Sequence, residues 1–114
     1  MQLSDRLQSA ITSAGAKVRF RYPWWLRPFL FPGIAGITLG RRIYLSPRVS
    51  QQQVERFLRH ELAHVRQIAR LGLARFYWAY GVEYIRLRRR GMSSPEAYRN
   101  ISFEMEAAAA EETV

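Results

Sequence analysis

The sequence predicts a mostly helical α+β domain, with a small antiparallel sheet beside two long helices and a C-terminal helix. Three observations carry that expectation. Apolar residues recur at helical spacing over residues 54–71, and an aromatic-rich helical pattern follows over 73–90. Two short apolar runs, Ile37-Thr38-Leu39 and Arg42-Ile43-Tyr44-Leu45, flank a Gly40-Arg41 pair suited to a two-residue hairpin turn. A chain of 114 residues with 48% hydrophobic content suits one domain, 1–114, built on one core without staples.

Taken in order, Leu3, Leu7, Ala10, Ile11 and Ala14 share one face of a first helix, and Gly15 can end it. Lys17 to Tyr22 alternates Val18, Phe20 and Tyr22 with basic residues, the pattern of a half-buried strand. Residues 23–33, PWWLRPFLFPG, hold three prolines between large apolar side chains. They predict an irregular loop packed on the core, with a cleft wall or an interfacial membrane contact as the alternatives. After the hairpin and Pro47, Ser50 and Gln53 form a capping box ahead of the long helix. Val54, Phe57, Leu58, Leu62, Val65, Ile68, Ala69 and Leu71 supply its apolar stripe, and Gly72 marks its end. The next helix, 73–90, finishes in Arg86, Arg88, Arg89 and Arg90, which suits the negative end of the helix dipole. Ser94-Pro95 starts a short helical turn, and Ser102 caps a final helix from Glu104 to Glu112.

Composition narrows the chemistry. Cysteine is absent, which excludes disulfides, thiolate metal sites and cysteine nucleophiles together. The first sixteen residues lack the apolar segment of a secretory signal. The longest uncharged run, Pro28 to Gly40, is broken by proline and glycine and too short for a bilayer. A soluble, cytoplasmic protein is expected. The net charge of +9 suits nucleic acid, anionic lipid or an acidic substrate, or simply a solvated arginine-rich surface.

Residues 60–64 read His-Glu-Leu-Ala-His, and His60 and His64 are the only two histidines. On a helix, positions i and i+4 lie one turn apart on one face, so both imidazoles can reach one ion. Glu61 then sits beside the ion's open position, placed to take a proton from water. A solvated alternative would leave the histidines in water and pair Glu61 with Arg56 or Arg59. A catalytic zinc also needs a third protein ligand, which here must be a carboxylate. Asp5 and Glu55 are poorly placed for it, and Glu83 lies on the arginine-rich helix. Glu104 and Glu106, at the start of the last helix, are the best source.

The stretches ITLGRRIYL, RFLRHELAHVRQ and YRNISFEMEAAAAE together resemble the small zincin-like metallopeptidases of the gluzincin kind, the minigluzincins. The resemblance covers residues 36–110, about two-thirds of the chain. It implies a Zn2+ ion held by His60, His64 and Glu104, with Glu106 as the alternative ligand. It implies Glu61 as general base and Tyr98 as a hydrogen-bond donor to the developing oxyanion. The strand before the active-site helix, Arg42 to Ser46, would bind a peptide or protein substrate along its free edge. Related membrane zincins place an aspartate four residues after the ligand glutamate to orient a histidine. This chain has Ala108 there, which leaves that role unassigned. The activity implied is peptide hydrolysis. The alternative is a weakly catalytic zinc-binding or interaction module associated with nucleic acid or a membrane surface. DNA-associated proteases with this motif use a third histidine, which argues against nucleic acid. Trp24, Trp25 and Arg86 to Arg90 leave a peripheral membrane contact open.

Overall fold

The structure, a computed structural model, describes residues 3–26 and 36–112. Helix α1 (Asp5–Ser13) starts where Ser4 Oγ accepts from the Leu7 N–H at 3.3 Å. It leads into strand β1 (Lys17–Arg19), shorter than the alternation through Tyr22 suggests, since Phe20 is already exposed. Of residues 23–33, Leu26 is buried and Trp24 is 81% exposed, while 27–33 lie outside the described residues. Strands β2 (Gly36–Leu39) and β3 (Arg42–Leu45) form the expected hairpin across Gly40-Arg41.

The sheet corrects one expectation. It is mixed rather than antiparallel: its order is β1-β3-β2, and β1 runs parallel to β3 with Val18 opposite Ile43. The connection from β1 to β3 is residues 20–41 and includes β2, long enough for the crossover a parallel pair requires. β3 is therefore the central strand, paired on both sides, and Arg42 to Ser46 offers no free edge. Among the described residues the edges are β1 and β2.

Helix α2 (Val54–Leu71) buries Val54, Leu58, Leu62 and Val65 against Leu7, Ile43 and Leu45. It begins after a turn in which Ser50 O accepts from the Val54 N–H, and Gln53 makes no side-chain cap, so the anticipated capping box does not form. Gly72, at φ 91°, separates α2 from α3 (Leu73–Arg89). α4 (Ser94–Asn100) is capped by Ser93 rather than Ser94. α5 (Ser102–Ala110) is capped by a partner from another helix: the Glu83 carboxylate accepts from Ser102 N at 2.7 Å and from Ser102 Oγ at 2.8 Å. That bond replaces the expected Ser102 cap and fixes the end of α5 that carries Glu104. A second apolar cluster, Leu87, Ala97 and Ile101 with Tyr80, Tyr84 and Phe103 against it, holds α3, α4 and α5 together. Among the described residues, no helix is long and apolar enough to cross a membrane.

Candidate metal centre

The same stripe that docks α2 on the sheet sets the orientation of its other face. With Leu58, Leu62 and Val65 turned into the core, His60 and His64 face α5, which packs along α2. Glu104, in the first turn of α5, meets them: its Oε1 lies 2.9 Å from His60 Nε2 and 3.1 Å from His64 Nε2. His64 and Glu104 are buried and His60 is nearly so. His60, His64 and Glu104 form the only group of three or more His, Cys, Asp or Glu, among the described residues, with ligand atoms close enough to hold one ion. Glu106 is not part of it. That side chain is exposed and accepts from Gln67 Nε2 at 3.0 Å, beside Arg70.

Each ring is held from behind. His60 Nδ1 lies 2.8 Å from Glu111 Oε2, a carboxylate that only accepts, so Nδ1 carries a proton. His64 Nδ1 lies 2.9 Å from Gln67 Oε1. The Gln67 amide has one possible orientation, because its Nε2 donates to Phe103 O and to Glu106 Oε1, both at 3.0 Å. His64 Nδ1 is therefore also the protonated nitrogen. Both imidazoles present Nε2 to a common point shared with Glu104. Without a cation there, protons must bridge these atoms. Burial works against a charged His60, yet its bonds to Glu104 and Glu111 prevail and push it up to about 9. Burial opposes charge on His64 as well, and the Glu104 carboxylate raises it nonetheless. Glu104, which burial alone would raise, is held down at about 2 by His60 and His64.

These donors fit a divalent ion. Tetrahedral zinc with bonds near 2.0–2.1 Å sets its ligand atoms about 3.3 Å apart. The observed Glu104–histidine separations of 2.9 and 3.1 Å fall just inside that value. Tyr80 Oη donates to Glu104 Oε2, which leaves Oε1 directed at the rings. Burial and the neighbouring Glu104 charge raise the Tyr80 phenol, keeping it a donor.

Glu61 makes no pair with Arg56 or Arg59. Those arginines bind Glu111, through Arg56 Nε to Oε1 and Arg59 Nε to the carbonyl, both at 2.7 Å. Glu61 is buried at 8% exposure, and its Oε2 accepts from Thr38 Oγ1 at 2.6 Å. Burial raises its proton affinity, partly offset by the charge of His64 and the Thr38 bond. Strand β2 passes close over this residue: a Cβ on Gly36 would come within 2.7 Å of Leu45 Cδ2 and 3.6 Å of Glu61 Cγ. Tyr98, expected as an oxyanion donor, is 47% exposed, and burial of its phenol and the neighbouring Glu104 charge raise its pKa, so it lies near the Glu104 carboxylate.

Sequence reasoning missed Glu111, Gln67, Tyr80 and Thr38. Glu111 fills the role that Ala108 cannot, from seven residues past Glu104, two helical turns along the same face. If zinc occupies this group, replacing Glu111 with alanine should weaken its binding about 10- to 100-fold, as measured by competition with a chelator. Unchanged affinity would show that His60 needs no orienting carboxylate.

No protein-family model, no curated protein and no solved structure matches this chain.

Proposed function

We propose that this chain is a zinc-dependent peptidase, in which His60, His64 and Glu104 hold the metal and Glu61 is the general base. The observation that carries this is the fixed protonation of the two rings. Glu111 and Gln67 place a hydrogen on each Nδ1, so each Nε2 offers a lone pair to the point where Glu104 Oε1 also aims. Such an arrangement suits a cation better than the two protons otherwise needed there.

Zinc held by His60, His64 and Glu104 would supply Lewis acidity and would lower the pKa of water towards neutrality. Glu61 would take a proton from the attacking water and pass it to the leaving amine. Its raised proton affinity favours the first transfer, and Thr38 holds one carboxylate oxygen while the proton moves. The peptide lies along β2 rather than β3. β2 is an edge strand among the described residues, and its Thr38 touches the base directly. The Thr38 carbonyl faces away from β3 but already accepts from Tyr77 Oη at 3.1 Å, so a peptide along β2 must displace that bond.

The burial of Glu61 favours one second reading, a zinc-binding module whose base is too sheltered to turn over peptides. Elemental analysis and a peptide library separate the two. The expected result is one zinc per chain with cleavage that a chelator abolishes and added zinc restores. Full zinc loading without any cleavage selects the binding module. No zinc retained by the folded wild type overturns both.

A further inference from the structure

Helix α3 has two unlike sides. Phe76, Tyr80 and Leu87 turn inwards to the ligand carboxylate and the second core cluster. Leu73, Tyr77, Ile85 and Trp78 spread over an arc of roughly 140° that begins beside Tyr80, and they are exposed by 54%, 39%, 53% and 76%. Trp25, also exposed, continues this apolar strip at the N-terminal end of α3, where it lines one groove with Leu73 and Tyr77.

The charges around the strip are basic apart from Glu83, which lines the groove beside Trp78. Lys17, Arg41 and Arg42 line the same groove as Trp25, and no acid lines it. At the far end Arg86 and Arg90 line a second groove with Trp78, and Arg89 is exposed beside them. Glu83 is the single acid of α3, and both its oxygens are engaged by Ser102. Among the described residues none of these six cations has a carboxylate partner in an ion pair.

We infer that this side of α3, with the basic end of the sheet, docks on an anionic lipid surface. An interfacial helix combines exposed tryptophan and aliphatic residues with flanking arginines, and anionic headgroups attract the latter. Nucleic acid would answer the charge but leaves Leu73 and Ile85 without a partner. A second copy of the chain would answer the apolar strip but sets +9 against +9. Metal binding is not required, so the inference stands apart from the peptidase reading.

Flotation with phosphatidylcholine vesicles, neutral or carrying roughly a third phosphatidylglycerol, tests it on the full chain. The wild type should float with the anionic vesicles and not the neutral ones. Trp78→Ser combined with Ile85→Ser should lower partitioning about tenfold, as should Arg89→Glu combined with Arg90→Glu. All four side chains are exposed, and circular dichroism checks that both variants fold. Absence of flotation overturns the inference. So does wild-type partitioning by the Trp78→Ser/Ile85→Ser protein, or loss of flotation only on adding duplex DNA to a protein that binds DNA through the same residues.

Discussion

Glu61→Gln should keep its zinc and lose peptide hydrolysis by roughly 10²–10⁴-fold, the usual contribution of a positioned general base. Glutamine has nearly the shape of glutamate, so the close pass of Gly36 and the burial of the side chain are preserved. Its amide oxygen can still accept from Thr38 Oγ1. His60, His64 and Glu104 are untouched, and metal content should remain at one per chain. What the amide cannot do is accept a proton from water. The loss should therefore fall on kcat and leave zinc affinity within about threefold. Activity near wild type, with zinc bound, would remove Glu61 from the base role. Loss of zinc together with activity would show that the residue acts on the metal's surroundings instead.

The parts of this protein governed by local periodicity were legible in the chain. The α2 stripe, the Gly40-Arg41 hairpin and the Gly72 break follow from 3.6- and 2-residue spacing and from turn chemistry. His60 and His64 converge for the same reason, since their spacing alone sets them on one face. Contacts across long sequence separations were not legible. The parallel pairing of β1 with β3 depends on a crossover whose endpoints no local pattern fixes. The Glu83 cap on α5 is made by a residue nineteen positions earlier, and Ser102 in sequence looks self-sufficient as a cap.

Glu111 illustrates the difficulty most directly. It sits where α5 ends, in an acidic pair with Glu112 that reads as solvated surface. Only the packing of α5 along α2 brings it to His60, with Arg56 and Arg59 holding it there. Glu104 and Glu106 differ in the same way. Two residues apart on a helix, they face directions about 160° apart, and the docking angle of α5 decides which one meets the histidines. Gln67 makes that angle specific, because its fully buried amide bonds both His64 and the Phe103 carbonyl at the start of α5.

The same bonds make the stability of the metal-free protein depend on pH in a way zinc should abolish. His60 rises from 6.5 to about 9 on folding, so its contribution is complete below pH 6.5 and is lost as pH climbs through 9. Glu104 falls from 4.5 to about 2, so its contribution is present above pH 4.5 and is lost as pH drops through 2. The two describe one shared contact and are not summed. Metal-free protein should be most stable between pH 4.5 and 6.5, and should lose about 3 kcal/mol by the time His60 is neutral, since each pK unit is ~1.4 kcal/mol. For a domain of this size that lowers the melting temperature by roughly 10 °C. Above pH 9 the neutral Nε2 of His60 faces the Glu104 carboxylate with no proton between them. Zinc takes the proton's place, and its affinity should rise about tenfold per pH unit for each proton displaced. The gap between zinc-loaded and chelated melting temperatures should therefore widen steadily from pH 6.5 to 9, as differential scanning calorimetry would record. A metal-free protein that melts at one temperature across that range would mean that no proton links His60 to Glu104. The closeness of those two atoms would then need another cause.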